Sequence, residues 1–367
     1  MIYDRTNQIS QTSELILEHR TGYNIKNTIM RTYTFWNNKG GTGKTSLCFQ
    51  SVLEYSLIHQ DQRILVVDLC PQANLSELLL GGMENNGAAH LDALYQSQPR
   101  KSIGGYFEER MQTPFAYATK VNPREYVSSP VTVNANIPQN VELVAGDRLV
   151  ELQSSFISSL TANKMPSVNT YITVIAWLRD LLQALEEYDI VFIDTNPSFS
   201  IYTQIALAAT DRLIVPVMAD DSSKRALSNV LSLIYGYKLP SKIYASYTFN
   251  SELTKAGMTL PQIHLIVKNR ITQYMGTAAA YRGVLASIDQ EINTLMNANH
   301  QYFSSNNVIM EVRDFQTSGV AAFAEAKSFS QLVNDRRIRT IGGERVQLDI
   351  NQIQNNQQSI AGIVARL

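Results

Sequence analysis

Short apolar runs alternate with segments of helical period along most of the chain. "IMRTYTFW", rich in β-branched and aromatic residues and ending at Asn37, predicts a strand. A glycine-rich turn follows, and then "KTSLCFQSVLEYSLIH" carries apolar residues at helical spacing. "RILVVDL" is a continuous apolar run of the kind buried on both faces of a parallel sheet, so the three together predict a βαβ unit. From Gly81 to about Asn140 the pattern loosens into a helical and loop-rich insertion. Alternation returns with the strands "VELVAG", "DIVFID", "RLIVPV", "IHLIVKN" and "NVIMEV", separated by helical segments such as "TYITVIAWLRDLLQALEE" and "AAAYRGVLASIDQEINTLMN". This order predicts an α/β fold with one twisted, mostly parallel sheet and helices on both faces. Residues 1–28 are polar and are expected to extend from a domain spanning 29–339. Residues 340–367 form a tail ending in a weakly amphipathic helix.

Composition narrows the function. With 44% hydrophobic and 17% charged residues, the 367-residue chain has the makeup of a globular protein with a large core. It has no apolar run long enough to span a bilayer, and its N-terminus lacks the basic-then-apolar order of a signal peptide, so a cytoplasmic protein without a membrane partner is expected. Two cysteines, Cys48 and Cys70, exclude a disulfide framework or a four-cysteine metal site, and the five histidines show no ligand spacing. Any metal is expected to arrive with a nucleotide. The net charge of −1 gives no global attraction to nucleic acid, so a DNA-binding surface would be a local patch.

The first strand runs into "NNKGGTGKTS", Asn37 to Ser46. A strand, a glycine loop and a helix N-terminus together direct backbone N–H groups at an anion. Gly40, Gly41, Thr42, Gly43, Lys44, Thr45 and Ser46 are the expected cradle. Lys44 would reach the β- and γ-phosphates, and the Thr45 hydroxyl would hold a magnesium ion. The usual G-x-x-x-x-G-K-[ST] pattern fails at Asn38, whereas K-G-G-x-G-K-[ST] fits. Lys39 is then a second lysine without a place in the ordinary motif.

On that loop the chain resembles the deviant Walker A ATPases, the P-loop NTPase family of the ParA partition proteins and the division-site protein MinD. The likeness continues in "DLCPQAN", where Asp68, Pro71, Gln72 and Asn74 follow the family's D-x-D-P-Q-x-N, and in "YDIVFIDTNPS", where Asp194 ends the Walker B strand. The resemblance implies ATP and Mg2+ as ligands, with Asp194 holding the metal through water. It also implies that Lys39 crosses to the nucleotide of a partner subunit, so that ATP binding makes a homodimer. Lys39, Lys44, Asp68 and Asp194 are the catalytic candidates. Asn269, ending a late strand, either reads the adenine edge or serves as a turn or capping residue. The T/N-K-x-D pattern that selects guanine is absent, which favours ATP.

One departure bears on catalysis. The family's second aspartate, which orients the attacking water, is Cys70 here, and a thiol does not replace a carboxylate beside a γ-phosphate. Hydrolysis is therefore slow, or served by another carboxylate such as Asp68 or Asp194, or nearly absent. Cys48 is expected in the core. Partition-type relatives bind DNA without sequence preference, and Lys268, Arg270, Arg282, Lys327, Arg336, Arg337 and Arg339 are the candidate contacts. The expected partners are non-specific DNA, which would make the protein nucleoid-associated, and a ParB-like adaptor or cargo. A small-molecule ligase of the dethiobiotin synthetase type and a MinD-like positioning ATPase are the alternatives. The ligase type carries no partner-directed lysine, so Lys39 discriminates.

Overall fold

The computed structural model describes residues 30–116, 121–163, 165–218, 220, 222–245, 248–271, 279–335 and 338–367. The 1–28 extension, Arg336, Arg337 and the Arg282 side chain lie outside the described residues. The strands are β1 (Arg31–Phe35), β2 (Ile64–Asp68), β3 (Val127–Ser128), β4 (Val141–Val144), β5 (Ile190–Asp194), β6 (Arg212–Met218), β7 (Gln262–Ile271) and β8 (Ile309–Arg313). They form one sheet in the order β3-β4-β2-β5-β1-β6-β7-β8, parallel throughout except where β3 meets β4.

The period of two in the strands divides the core into two layers. Leu65 and Val67 of β2, with Val191 and Ile193 of β5, face one layer, and Ile64, Val66, Ile190 and Phe192 face the other. All ten residues of these two strands are buried, which is why they read as unbroken apolar runs. Each buried Leu, Ile, Val or Phe contributes about 1.5–3 kcal/mol relative to exposure. Among the described residues no helix is long and apolar enough to cross a membrane.

Two regions are more integrated than the sequence pattern suggests. The 81–140 segment supplies Ile103, Tyr106, Phe107 and Tyr126 to the core and adds β3 to the sheet. The C-terminal helix Ile350–Val364 buries Ile353, Ile360, Ile363 and Val364 against the Lys44–Ile58 helix and β8. Beyond it the Leu367 carbonyl accepts from the Tyr33 hydroxyl, and the Arg366 carbonyl lies 2.6 Å from His264 Nε2. A hairpin of β9 (Ile338–Ile341) and β10 (Glu344–Gln347) precedes that helix. Its turn uses Gly342 and Gly343 at φ of 58° and 87°, the primed geometry that matches strand twist.

Parallel strands put their C-terminal ends on one side, and the register sets Phe35, Asp68 and Asp194 level with one another. The loop after β1 opens on that same side, where ligands bind in open α/β sheets.

Candidate nucleotide-binding site

Asn37 starts the loop, fully buried, with Nδ2 donating to the Pro216 carbonyl at 2.7 Å and Oδ1 accepting from Lys39 N at 3.0 Å. The loop is thereby pinned to β6. Gly41 and Gly43 take φ of 72° and 86°, and a Cβ on Gly43 would collide with the Asn269 amide. Position 43 needs glycine on both counts. Asn269 arrives from the end of β7 and donates to the Thr42 carbonyl at 2.9 Å, while its Oδ1 accepts from Arg270 N at 2.9 Å. Asn269 has a local role in this structure: it is a strut beneath the loop, with one amide N–H and its oxygen engaged by backbone.

Lys44 begins the Lys44–Ile58 helix and is 7% exposed. Its Nζ has only a long hydrogen bond to the Lys39 carbonyl, 3.4 Å, and no ion pair among the described residues. Burial lowers its pKa, opposed by the charge of Asp194. A desolvated ammonium facing a cleft with so little compensation is poised for an anion.

Next to it the Thr45 hydroxyl donates to Asp194 Oδ2 at 2.6 Å, while Asp194 Oδ1, equally buried, has no partner. A hydroxyl beside a carboxylate with one orphaned buried oxygen fits a hard divalent cation held by Thr45, with Asp194 behind its water. Burial, and then the charge of Asp68, raises Asp194 to about 7. Burial also raises Asp68 to about 6, against the hydrogen bonds it receives.

Those hydrogen bonds revise the part expected of Asp68. Its Oδ1 accepts from Cys70 N at 3.0 Å, and its Oδ2 from Ser76 N at 3.0 Å and Ser76 Oγ at 2.8 Å. Ser76 Oγ in turn accepts from Gly146 N at 2.8 Å. Asp68 fastens the turn after β2, with both carboxylate oxygens engaged. Cys70 lies on that turn, 8% exposed. Burial first, then the charges of Asp68 and Asp194, push its thiol up to about 12, so at neutral pH it is uncharged. Cys48 is fully buried in the helix, as expected.

A cleft of about 550 Å3 opens over these groups, lined among others by Gly41, Lys44, Thr45, Cys70, Asn196 and Pro197. A side recess of about 260 Å3 continues past Gly43 and Ser46 between Asn269, Asp314, Phe315 and Val320. Lys39 does not line the cleft. Its Nζ donates to Asp220 Oδ2 at 2.6 Å and to the Ser222 hydroxyl. Although burial works in the other direction, this hydrogen bond and charge hold Asp220 down at about 2. Asn196 caps the turn after β5, its Oδ1 accepting from Ser198 Oγ at 3.0 Å and Thr203 Oγ1 at 3.1 Å. The sequence reading passed over Asn37, Asn196 and Asp220, and the signal for Asn196 was its place just past a strand-ending aspartate.

The basic candidates for DNA are mostly engaged. Lys268 is 2% exposed and pairs with Asp289 at 2.7 Å and Glu311 at 2.8 Å. Lys327 pairs with Glu325 at 2.9 Å and Asp335 at 2.7 Å, and Arg339 pairs with the same two acids at 3.4 and 2.8 Å. All three are engaged by acids of the same chain, which leaves them less available to a phosphate backbone. Arg270, exposed at the mouth of the cleft with φ of 59°, is the described candidate that remains.

The raised carboxylates make a pH prediction. A carboxyl whose folded pKa lies above its unfolded value stabilises in its protonated form, so that contribution is lost as pH rises through about 6 to 7. In thermal unfolding without nucleotide, the wild type is expected to lose more stability between pH 5.5 and 8 than Asp194→Asn. Magnesium with a nucleotide analogue is expected to restore the wild type at pH 8. Equal pH slopes for the two proteins would count against a buried, cation-seeking Asp194.

Residues 30–243 match the family described as "AAA domain". Among curated proteins the chain is similar to the "Probable plasmid-partitioning protein ParA" of Thermus thermophilus, 27% identical over 210 residues, covering 57% of this chain and 52% of the relative. It is also similar to the chromosome partitioning protein ParA of Myxococcus xanthus, 26% identical over 208 residues, covering 56% of this chain and 59% of the relative. The alignments thus span little more than half of these relatives. In fold it resembles McdA from Cyanothece in its ATP complex, with a TM-score of 0.58 at 16% identity over 92% of this chain and 97% of the other. Apo McdA gives a TM-score of 0.56 at 15% identity over 91% and 100%.

Proposed function

The chain belongs to the AAA-domain family as a ParA/MinD-like P-loop ATPase, and on that premise we propose that it is a switch that binds ATP with Mg2+, dimerises around the nucleotide and positions DNA or another cargo. The Gly40–Ser46 loop takes the phosphates, Lys44 the β/γ charge, and Thr45 with Asp194 the metal. Held there, magnesium would neutralise charge that develops on the phosphates. Phe315, Val320 and Asn269 border the recess open to the base.

The observation that carries the switch is the separation of the two lysines. Lys44 lines the cleft, whereas Lys39 stands outside it on Asp220, at a side-chain exposure of 28% for the lysine and 46% for the acid. A half-exposed pair of this kind holds the side chain with only about 0.2–1 kcal/mol. It yields readily to the concentrated charge of a second nucleotide across a twofold axis. In static light scattering, AMPPNP with Mg2+ is expected to convert monomer to dimer. Lys39→Ala is expected to bind the nucleotide and stay monomeric. A Lys39→Ala protein that dimerises as well as wild type would remove the basis of this reading.

DNA binding, in this proposal, is a property of the dimer. With a net charge of −1 and three candidate cations paired internally, the surface depends on Arg270, Arg336, Arg337 and on residues that dimerisation brings side by side. An adaptor or cargo protein, and association with the nucleoid, follow from the same reading.

A further inference from the structure

The turn after β2 offers a thiol where hydrolysis calls for a carboxylate, and neither strand-end aspartate is spare. Asp68 is taken up by Cys70 N and Ser76, and Asp194 by Thr45 and the metal position. Neither lines the cleft. Among the described residues one carboxylate does: Glu151, which shares the cleft wall with Cys70, Lys44, Asn196 and Pro197.

Its placement follows from the sheet. β4 is the parallel neighbour of β2, so the segments leaving their C-terminal ends, Leu69–Ala73 and Ala145–Arg148, run side by side. They touch: a Cβ on Gly146 would strike both the Asp68 carboxylate and the Ala73 methyl. Glu151 sits in the first turn of the Leu149–Ala162 helix that follows. Its Oε2 accepts from the Tyr202 hydroxyl at 3.1 Å, and that hydroxyl accepts in turn from Asn196 Nδ2. Tyr202 is 1% exposed, so its hydroxyl is a buried anchor that ties the exposed Glu151 side chain to the cleft wall and links it to the turn after β5.

We propose that Glu151 supplies the water-orienting carboxylate that position 70 lacks, a role that rests on the ATPase reading. Water donates a hydrogen bond to Glu151, and its oxygen lone pair forms the new bond to the γ-phosphorus. The bond from that phosphorus to the β–γ bridging oxygen breaks, and its electron pair leaves with ADP. Glu151 takes the water's proton and returns it to solvent or to the phosphate product.

The test measures single-turnover phosphate release, nucleotide affinity and mass by light scattering on the full chain with Mg-ATP. Glu151→Gln is expected to slow release about 10²-fold with affinity and dimerisation intact. Tyr202→Phe is expected to slow it less, about tenfold, by releasing the carboxylate. The decisive arm is rescue: Cys70→Asp added to Glu151→Gln is expected to bring release back to at least the wild-type rate, which a merely structural Glu151 would not allow. A wild-type rate in Glu151→Gln, a rate lost only in step with affinity or dimerisation, or no rescue overturns the proposal. If the wild type binds Mg-ATP without hydrolysing it, Glu151 has no such role and the nucleotide-switch reading stands. If it does not bind ATP at all, the ATPase reading falls first, and the affinity measurement separates these cases.

Discussion

Lys44→Ala is expected to weaken binding of ATP and of AMPPNP by ~30-fold or more while the protein remains folded. In the free protein the Lys44 ammonium is 7% exposed, its one hydrogen bond is a 3.4 Å contact to the Lys39 carbonyl, and burial has lowered its pKa. The desolvation cost is therefore already present before nucleotide arrives, and the phosphates compensate it. Removing one member of a buried, hydrogen-bonded charge pair costs about 2–5 kcal/mol, which is ~30-fold to several-thousand-fold in affinity. The same reasoning makes the substitution mild for stability, because an alanine at the start of the helix removes a desolvated charge and leaves the loop pinned by Asn37 and Asn269. Calorimetry with Mg-AMPPNP and thermal unfolding separate the two effects. Near-normal affinity would show that the phosphates lie elsewhere. An unfolded variant would show that Lys44 is structural after all.

The parts of this molecule that could be read from sequence are those whose physics is local. β2 and β5 announce themselves as unbroken apolar runs because both faces are buried, and the glycine loop does so because positive φ at Gly41 and Gly43 leaves few alternatives. The β9–β10 hairpin was missed although Gly342-Gly343 marks its turn, because its strands carry Arg339, Glu344 and Arg345 in place of an apolar alternation. The C-terminal helix read as a tail because its apolar face is thin, yet its isoleucines complete one core layer. At the site, the metal chemistry proposed for Thr45 and Asp194 follows from side-chain identity and position in the motif. What sequence could not convey was saturation. That Asp68 is engaged by Ser76, and Lys327 and Arg339 by Glu325 and Asp335, depends on the local path of the chain, whereas the pairing of Lys268 with Asp289 and Glu311 and the reach of Glu151 to the cleft depend on contacts between distant segments.

Cys70→Asp is expected to raise the rate of ATP hydrolysis about 10²-fold, the low end of what a positioned general base supplies, with nucleotide affinity little changed. The wild-type thiol is neutral at working pH, since burial and the charges of Asp68 and Asp194 push it up to about 12, so at present position 70 neither accepts a proton nor polarises water. A carboxylate on the same turn, whose backbone Asp68 holds through Cys70 N, would face the cleft beside Lys44. The gain is expected to be larger in the Glu151→Gln background than in wild type, because two groups serving one water are not additive. The new carboxylate also carries a cost that can be measured. It becomes the third acid of a group with Asp68 and Asp194, so its own pKa is raised by the same burial and charges, and the hydrolysis rate is expected to climb with pH as it ionises. For the same reason the nucleotide-free variant is expected to unfold at a lower temperature than wild type at pH 8, with the gap narrowing at pH 5.5 and closing with Mg-AMPPNP bound. Phosphate release that stays at the wild-type rate across that pH range, with affinity intact, would show that water is positioned without position 70.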